Sequence, residues 1–145
     1  MFVFIYGTLK RGFPNHEFMQ GTFQSEALTV EQYPLVVGTR MGVPFLLMFP
    51  GQGKRVKGEL YMVNETQLEY LDEFEAVQQG LYFRERIQVE QLVDAPKQGI
   101  VEAWAYFRGT GGPYWACDVD SLFRNQHLEE YTQQYTKNFI PRNQR

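Results

Sequence analysis

One stretch of this chain reads as a firm helix, and almost everything else reads as strand. Residues 64–75 carry the helical signature. Asn64 can cap the first turn, and Gln67 three residues later can reach back to it as in a capping box. Val63 and Leu68 occupy the two staple positions. Around this helix lie runs of strand formers cut by Gly and Pro. Phe2 to Tyr6 is an apolar run that stops at Gly7. Residues 33–50 are strand-rich and broken by Pro34, Gly38, Gly42, Pro44 and Pro50, which points to short strands and a hairpin. Val56, Gly58, Leu60 and Met62 alternate with polar or charged neighbours, as in a half-buried strand. Tyr82 to Leu92 and Gly99 to Arg108 are two more strands, the first with Phe83, Glu85, Ile87 and Val89 on one side. A short helix from about His16 to Gln20 is expected after Pro14-Asn15, and residues 120–137 are weakly helical. Gly51 to Gly53 and Gly109 to Pro113 read as loops, and residues 139–145 look extended. The expected fold is α+β: one domain over residues 1–145, with five to seven strands in a mixed or antiparallel, barrel-like sheet and a few short helices.

Composition narrows the chemistry. Two His and one Cys cannot supply the roughly four ligands of a Cys/His zinc site, and one Cys makes no disulfide framework. No metal or cofactor is expected. Net charge is −3 and no Lys/Arg run reaches five residues, so nucleic acid is disfavoured as a partner. No apolar run reaches the ~18 residues of a membrane span. The first ten residues have no basic stretch ahead of the apolar one, so they do not read as a signal peptide, and the cytoplasm is the expected location. Self-association is not expected.

Two places could carry chemistry. On a helical wheel Glu75 falls in angle between Leu68 and Leu71, while Glu69 and Glu73 point to solvent. If the helix runs through Glu75, its carboxylate projects inward, where burial raises a carboxyl pKa and suits a general base or acid. If the helix ends near Phe74, Glu75 is a solvated last-turn residue instead. The second place is Tyr6-Gly7-Thr8-Leu9-Lys10, where a strand stops at a Gly and could turn backbone N–H groups outward as an anion-binding nest. An ordinary strand-to-loop turn explains the same residues. His16 reads as a residue at a helix start, His127 as exposed, and Cys117 as a packing residue. The 109–113 loop lacks the residues of a phosphate loop and reads as a loop over a site or a plain turn.

Tyr6-Gly7-Thr8-Leu9-Lys10, Pro14-Asn15-His16, Tyr33-Pro34-Leu35-Val36 and Leu71-Asp72-Glu73-Phe74-Glu75, in that order and spacing, resemble the gamma-glutamylcyclotransferase-like superfamily. The resemblance covers residues 2–108 and Pro141 to Asn143. It implies a reaction in which the α-amine of a gamma-glutamyl group attacks its own γ-carbonyl, giving 5-oxoproline and a free amine. It implies Glu75 as the catalytic glutamate and Tyr6, Gly7, Thr8 and Leu9 as the substrate cavity, with Tyr82 at a similar position to a pocket tyrosine. The implied partner is a small gamma-glutamyl amine such as gamma-glutamyl-ε-lysine. Gamma-glutamyl dipeptides or glutathione are the alternative, and a non-catalytic binding module on the same fold is another. The missing Ser, His and Cys machinery fits this chemistry, because the nucleophile arrives with the substrate.

Overall fold

The computed structural model describes residues 1–38, 41–93 and 99–141, apart from the side chain of Tyr114. The described residues form seven strands: β1 (Phe2–Ile5), β2 (Thr22–Tyr33), β3 (Leu35–Gly38), β4 (Val43–Leu46), β5 (Lys54–Met62), β6 (Tyr82–Gln91) and β7 (Ile100–Arg108). Helix α1 spans Glu65–Phe74 and a short α2 spans Val119–Phe123. Single 3-10 turns sit at His16–Phe18, Tyr114–Ala116 and Gln133–Asn138. Five strands close a barrel in the order β1-β5-β2-β6-β7, and β3-β4 form a separate hairpin. All barrel pairs are antiparallel except the closing pair, where β1 meets β7 in parallel at Val3 and Trp104. The expected mixed, barrel-like α+β sheet is therefore present.

Two apolar clusters follow from the period-two alternation of strand side chains. Phe4, Ala27, Leu60, Val89 and Ala105 come from all five barrel strands and fill its interior. Val3, Ile5 and Tyr61 point the other way and pack with Leu68 and Leu71 of α1. The barrel closes tightly at Gly58, where a Cβ would collide with the Ile5 carbonyl and the Phe4 ring.

Helix α1 starts as its sequence dictates. The Asn64 side chain accepts from Gln67 N at 2.8 Å, and Gln67 Oε1 accepts from Asn64 N at 3.0 Å. Several expectations change elsewhere. Met62 is exposed, whereas Glu59 and Tyr61 are buried, because the outer face of β5 is covered by α1 at Tyr61 and by Arg11 of the loop after β1 at Glu59. Glu85 is exposed although Ile87 and Val89 on its side are buried. The 16–20 helix is one 3-10 turn with no side-chain cap. The 120–137 stretch is not one helix but α2, an irregular run and a 3-10 turn. Of the extended C-terminal stretch, residues 142–145 lie outside the described residues, and Arg142 and Asn143 of the resemblance with them. No described helix is long and apolar enough to cross a membrane.

Candidate active site

A cleft opens where β1 ends. Its wall is the strand exit itself: Tyr6, Gly7, Thr8 and Leu9, with Asn15 from the following loop. Val43 and Pro44 of β4, Tyr82 of β6, Tyr106 of β7 and Phe139 close the sides, and Glu75 completes the lining. The structure thus brings Glu75, all four residues from 6 to 9 and Tyr82 into one place.

The loop after β1 is held by its own polar groups. Asn15 donates from its backbone N to the Thr8 carbonyl at 2.9 Å and from Nδ2 to Thr8 Oγ1 at 3.0 Å. His16 Nδ1 lies 3.0 Å from the Leu9 carbonyl. Buried Glu59 accepts from Arg11 N and Nε at 3.0 and 3.1 Å, and from the Tyr61 hydroxyl at 2.9 Å. Gly7 is pressed against Pro44, whose Cγ would lie 2.7 Å from a Cβ there. Among the described residues, the N–H groups of Gly7, Thr8 and Leu9 donate to no protein acceptor. Gly7 and Leu9 are buried, where an unpaired N–H is costly. Three such donors in a row are the kind of group that an anion or a polarised carbonyl can satisfy.

Glu75 is one residue past the end of α1, at its C-cap. The helix does stop at Phe74, yet Glu75 is half-buried and lines the cleft rather than facing open solvent. The stop explains this. Val77 N donates to the Asp72 carbonyl and Ala76 N to the Glu73 carbonyl, both at 3.0 Å, which is a Schellman closure with Ala76 at φ 51°. The chain turns sharply after Glu75 and leaves its side chain at the helix end.

Three tyrosines surround this carboxylate, and each commits its hydroxyl hydrogen elsewhere. Tyr6 donates to the Tyr106 carbonyl at 2.7 Å, Tyr82 to the Pro44 carbonyl at 2.9 Å, and Tyr106 to Asp72 Oδ1 at 2.7 Å. Arg84 Nε donates to the same Asp72 oxygen at 2.7 Å. Burial, followed by the charges of Tyr82 and Glu75, holds the Tyr6 hydroxyl well above its ordinary pKa. Burial and the Asp72 hydrogen bond raise Tyr106 likewise, and Glu75 adds to that shift. The described lining contains no Lys or Arg. The cleft lining therefore combines unpaired N–H donors with a carboxylate and tyrosine oxygens. A molecule with an anionic or carbonyl group at one end and an amine at the other matches it.

Sequence reasoning missed Tyr106, Val43, Pro44 and Phe139, which reach the cleft from segments with no motif of their own. It also missed Arg108. That buried guanidinium donates to the carbonyls of Leu81, Gly109, Gly111 and Cys117 at 2.6–3.2 Å, so the 109–113 loop wraps an arginine rather than covering the cleft. Cys117 is exposed with φ 60°, so it is not a packing residue. His127 is half-buried, with Nε2 2.8 Å from the Phe123 carbonyl and its ring on that phenyl group, so it is not an exposed residue. No group of three or more His, Cys, Asp or Glu able to hold a metal lies among the described residues.

Residues 3–133 match the model of the family described as gamma-glutamyl cyclotransferase, AIG2-like. A human gamma-glutamylaminecyclotransferase is 39% identical over 127 residues, covering 79% of this chain and 82% of its own. A gamma-glutamylaminecyclotransferase C from Danio rerio is 43% identical over 120 residues, covering 78% of each. The crystal structure of an AIG2-like protein from Mus musculus superimposes with a TM-score of 0.83 at 34% identity, covering 99% of this chain and 97% of that one. With the match running from β1 into the last 3-10 turn and the same fold in a relative, the chain belongs to the gamma-glutamyl cyclotransferase, AIG2-like family of enzymes.

Proposed function

We propose that this chain cleaves gamma-glutamyl amines, such as gamma-glutamyl-ε-lysine, to 5-oxoproline and the free amine, with Glu75 as general base and then general acid. The observation that carries the reading is the cleft's polarity: the lining brings together Gly7, Thr8 and Leu9, whose N–H groups have no described acceptor, and Glu75, the one charged member among the described lining residues. The donors take the α-carboxylate or the γ-carbonyl oxygen of the glutamyl group. Glu75 takes a proton from the α-ammonium, whose pKa is ~8 when free. The amine nitrogen then attacks the γ-carbonyl carbon, and a five-membered ring closes. The C–N bond to the leaving amine breaks as Glu75 returns the proton to that nitrogen, and the ring nitrogen gives its second proton to the released amine, which departs as an ammonium. Holding an intramolecular nucleophile in line contributes up to ~7–11 kcal/mol, so the protein need not supply its own. The tyrosine oxygens, with their hydrogens committed, accept from the ammonium.

The relatives named for gamma-glutamylamine cleavage support the amine as leaving group. The lining supports it independently. A gamma-glutamyl dipeptide or glutathione carries a further carboxylate or carbonyl on the carbon next to the scissile nitrogen. Among the described lining residues no Lys or Arg would meet that carboxylate, and Glu75 would repel it. An ε-linked lysine keeps its charged end four methylenes away.

Glu75→Gln keeps the shape and removes the proton carrier. It is expected to fold like the parent and lose ~10²–10⁴-fold in 5-oxoproline release from gamma-glutamyl-ε-lysine. Turnover by this variant within tenfold of the parent would refute the role of Glu75.

A further inference from the structure

Most of the cleft lining is buried, but Thr8, Asn15, Glu75 and Phe139 keep partial exposure. These four mark the mouth, and whatever hangs from a bound glutamyl group leaves past them. Three are polar, and Phe139 is the apolar one.

Phe139 is held at the mouth by a strap laid over the loop after β1, strand β5 and the β3-β4 hairpin. Leu128 N donates to the Leu35 carbonyl at 2.8 Å, and Lys57 N donates to the Glu129 carbonyl at 2.7 Å. Tyr131 is fully buried. Its carbonyl accepts from Lys10 Nζ and its hydroxyl donates to the Gly42 carbonyl, both at 2.6 Å. Past the last 3-10 turn, Phe139 N donates to the Thr136 carbonyl at 3.1 Å, and Ile140 N to the Met41 carbonyl at 3.2 Å. Backbone hydrogen bonds on both sides fix where the ring stands. The ring itself lies beyond residue 133, where the family match ends.

We propose that Phe139 is a specificity-determining residue that receives the methylene stem of the leaving amine. It thereby selects gamma-glutamyl alkylamines over gamma-glutamyl α-amino acids. The inference rests on the cyclotransferase reading above and names what chooses the amine side. A methylene laid on the ring leaves water and gains contact with it, whereas a carboxylate brought against the same apolar ring loses water and finds no Lys or Arg among the described lining residues. A long alkyl stem is favoured and a short charged one is not.

The test measures 5-oxoproline release from gamma-glutamyl methylamine, propylamine and pentylamine and from gamma-glutamyl-alanine. It uses the parent, Phe139→Ala, Phe139→Leu and Phe139→Arg. In the parent, kcat/KM is expected to rise about two- to threefold per methylene, mainly through KM. In Phe139→Ala the loss should grow with stem length, so that the pentylamine-to-methylamine ratio collapses, and Phe139→Leu should retain most of that ratio. Phe139→Arg puts a cation in place of the ring and should raise the ratio of alanine to pentylamine turnover about tenfold or more, a gain that misfolding cannot produce. A loss in Phe139→Ala that is equal for every substrate, an unchanged ratio, or no gain in Phe139→Arg would overturn the assignment. A flat series in an active parent overturns the selector alone. A parent that releases 5-oxoproline from none of the four overturns the cyclotransferase reading and the selector together.

Discussion

Asp72 Oδ1 is the acceptor on which one side of the cleft turns. It takes the Tyr106 hydroxyl and the Arg84 guanidinium together, and that guanidinium also lies over the Trp104 ring, 4.3 Å from its centroid. Removing the carboxylate leaves a buried tyrosine hydroxyl and a largely buried cation without their common partner. Asp72→Ala is expected to lower stability by about 1–3 kcal/mol, read as a drop in the urea midpoint at unchanged m-value. Tyr106→Phe removes only the donor and should lose about 1 kcal/mol. An Asp72→Ala midpoint equal to the parent's would show that this acceptor is dispensable. In the sequence Asp72 stands three residues before Glu75, but its partners are 12 and 34 residues away on strands. A helical wheel put Glu75 on the side of Leu68 and Leu71, and it lines the cleft although the helix stops one residue before it. Asp72 was not legible, because no local period links a helix position to two strands.

At the scale of elements, the end of α1 shows how backbone conformation aims a side chain. The residue that takes the left-handed conformation after a helix is usually Gly, and here it is Ala76. An L-residue in that region costs about 1–2 kcal/mol, and the strain sits next to Glu75. Ala76→Gly is expected to raise stability by up to about 1 kcal/mol, with the freer unfolded chain offsetting part of the gain. Thermal melts of the two proteins decide it, and a lower Tm for Ala76→Gly would contradict the argument. The same substitution explains why the helix end was ambiguous in the sequence: no Gly announced it. The N-terminus was legible because the capping box is a side-chain signal. Strand β2 was illegible for a different reason. Its buried face carries Ser25, Ala27 and Thr29, small or polar residues that give no hydrophobic alternation. Thr29 Oγ1 bridges the register shift between Leu28 and Gln32, accepting from Val56 N at 2.8 Å and donating to the Glu31 carbonyl at 2.7 Å. A barrel lined at that point by small side chains follows from its neighbours, not from a local pattern.

For the whole molecule, buried hydroxyls set the alkaline limit. Burial and the Glu31 carboxylate push Tyr33 up to about 12, and burial raises Tyr6, Tyr61 and Tyr106 as well. A folded-state pKa above the unfolded value of ~10 means that the native protein holds these protons more tightly. The stability they contribute is complete below pH ~10 and falls as pH rises toward the folded values. Lys10 has the opposite sign. Burial lowers its pKa, so the native state releases that proton first, and stability gains as pH approaches ~10.4. Cooperative loss of structure is expected above pH ~10, with tyrosinate absorbance appearing together with the change in circular dichroism. Tyrosinate rising well before unfolding would show that the hydroxyls titrate in the native fold. The order of strands in the barrel and the arrival of Phe139 at the cleft were beyond sequence reading, because both depend on contacts between distant segments. The pairing of β1 with β7 at Val3 and Trp104 has one more effect. With that joint made, none of the five barrel strands is an edge strand, and the two that remain outside the barrel are four residues long, one of them interrupted by Pro44. A second chain seeking to extend this sheet finds no barrel strand that lacks a neighbour on either side, and the long stretch of β6 that β2 does not cover, Tyr82–Gln88, carries the charges of Arg84, Glu85 and Arg86, which count against fibrous self-pairing.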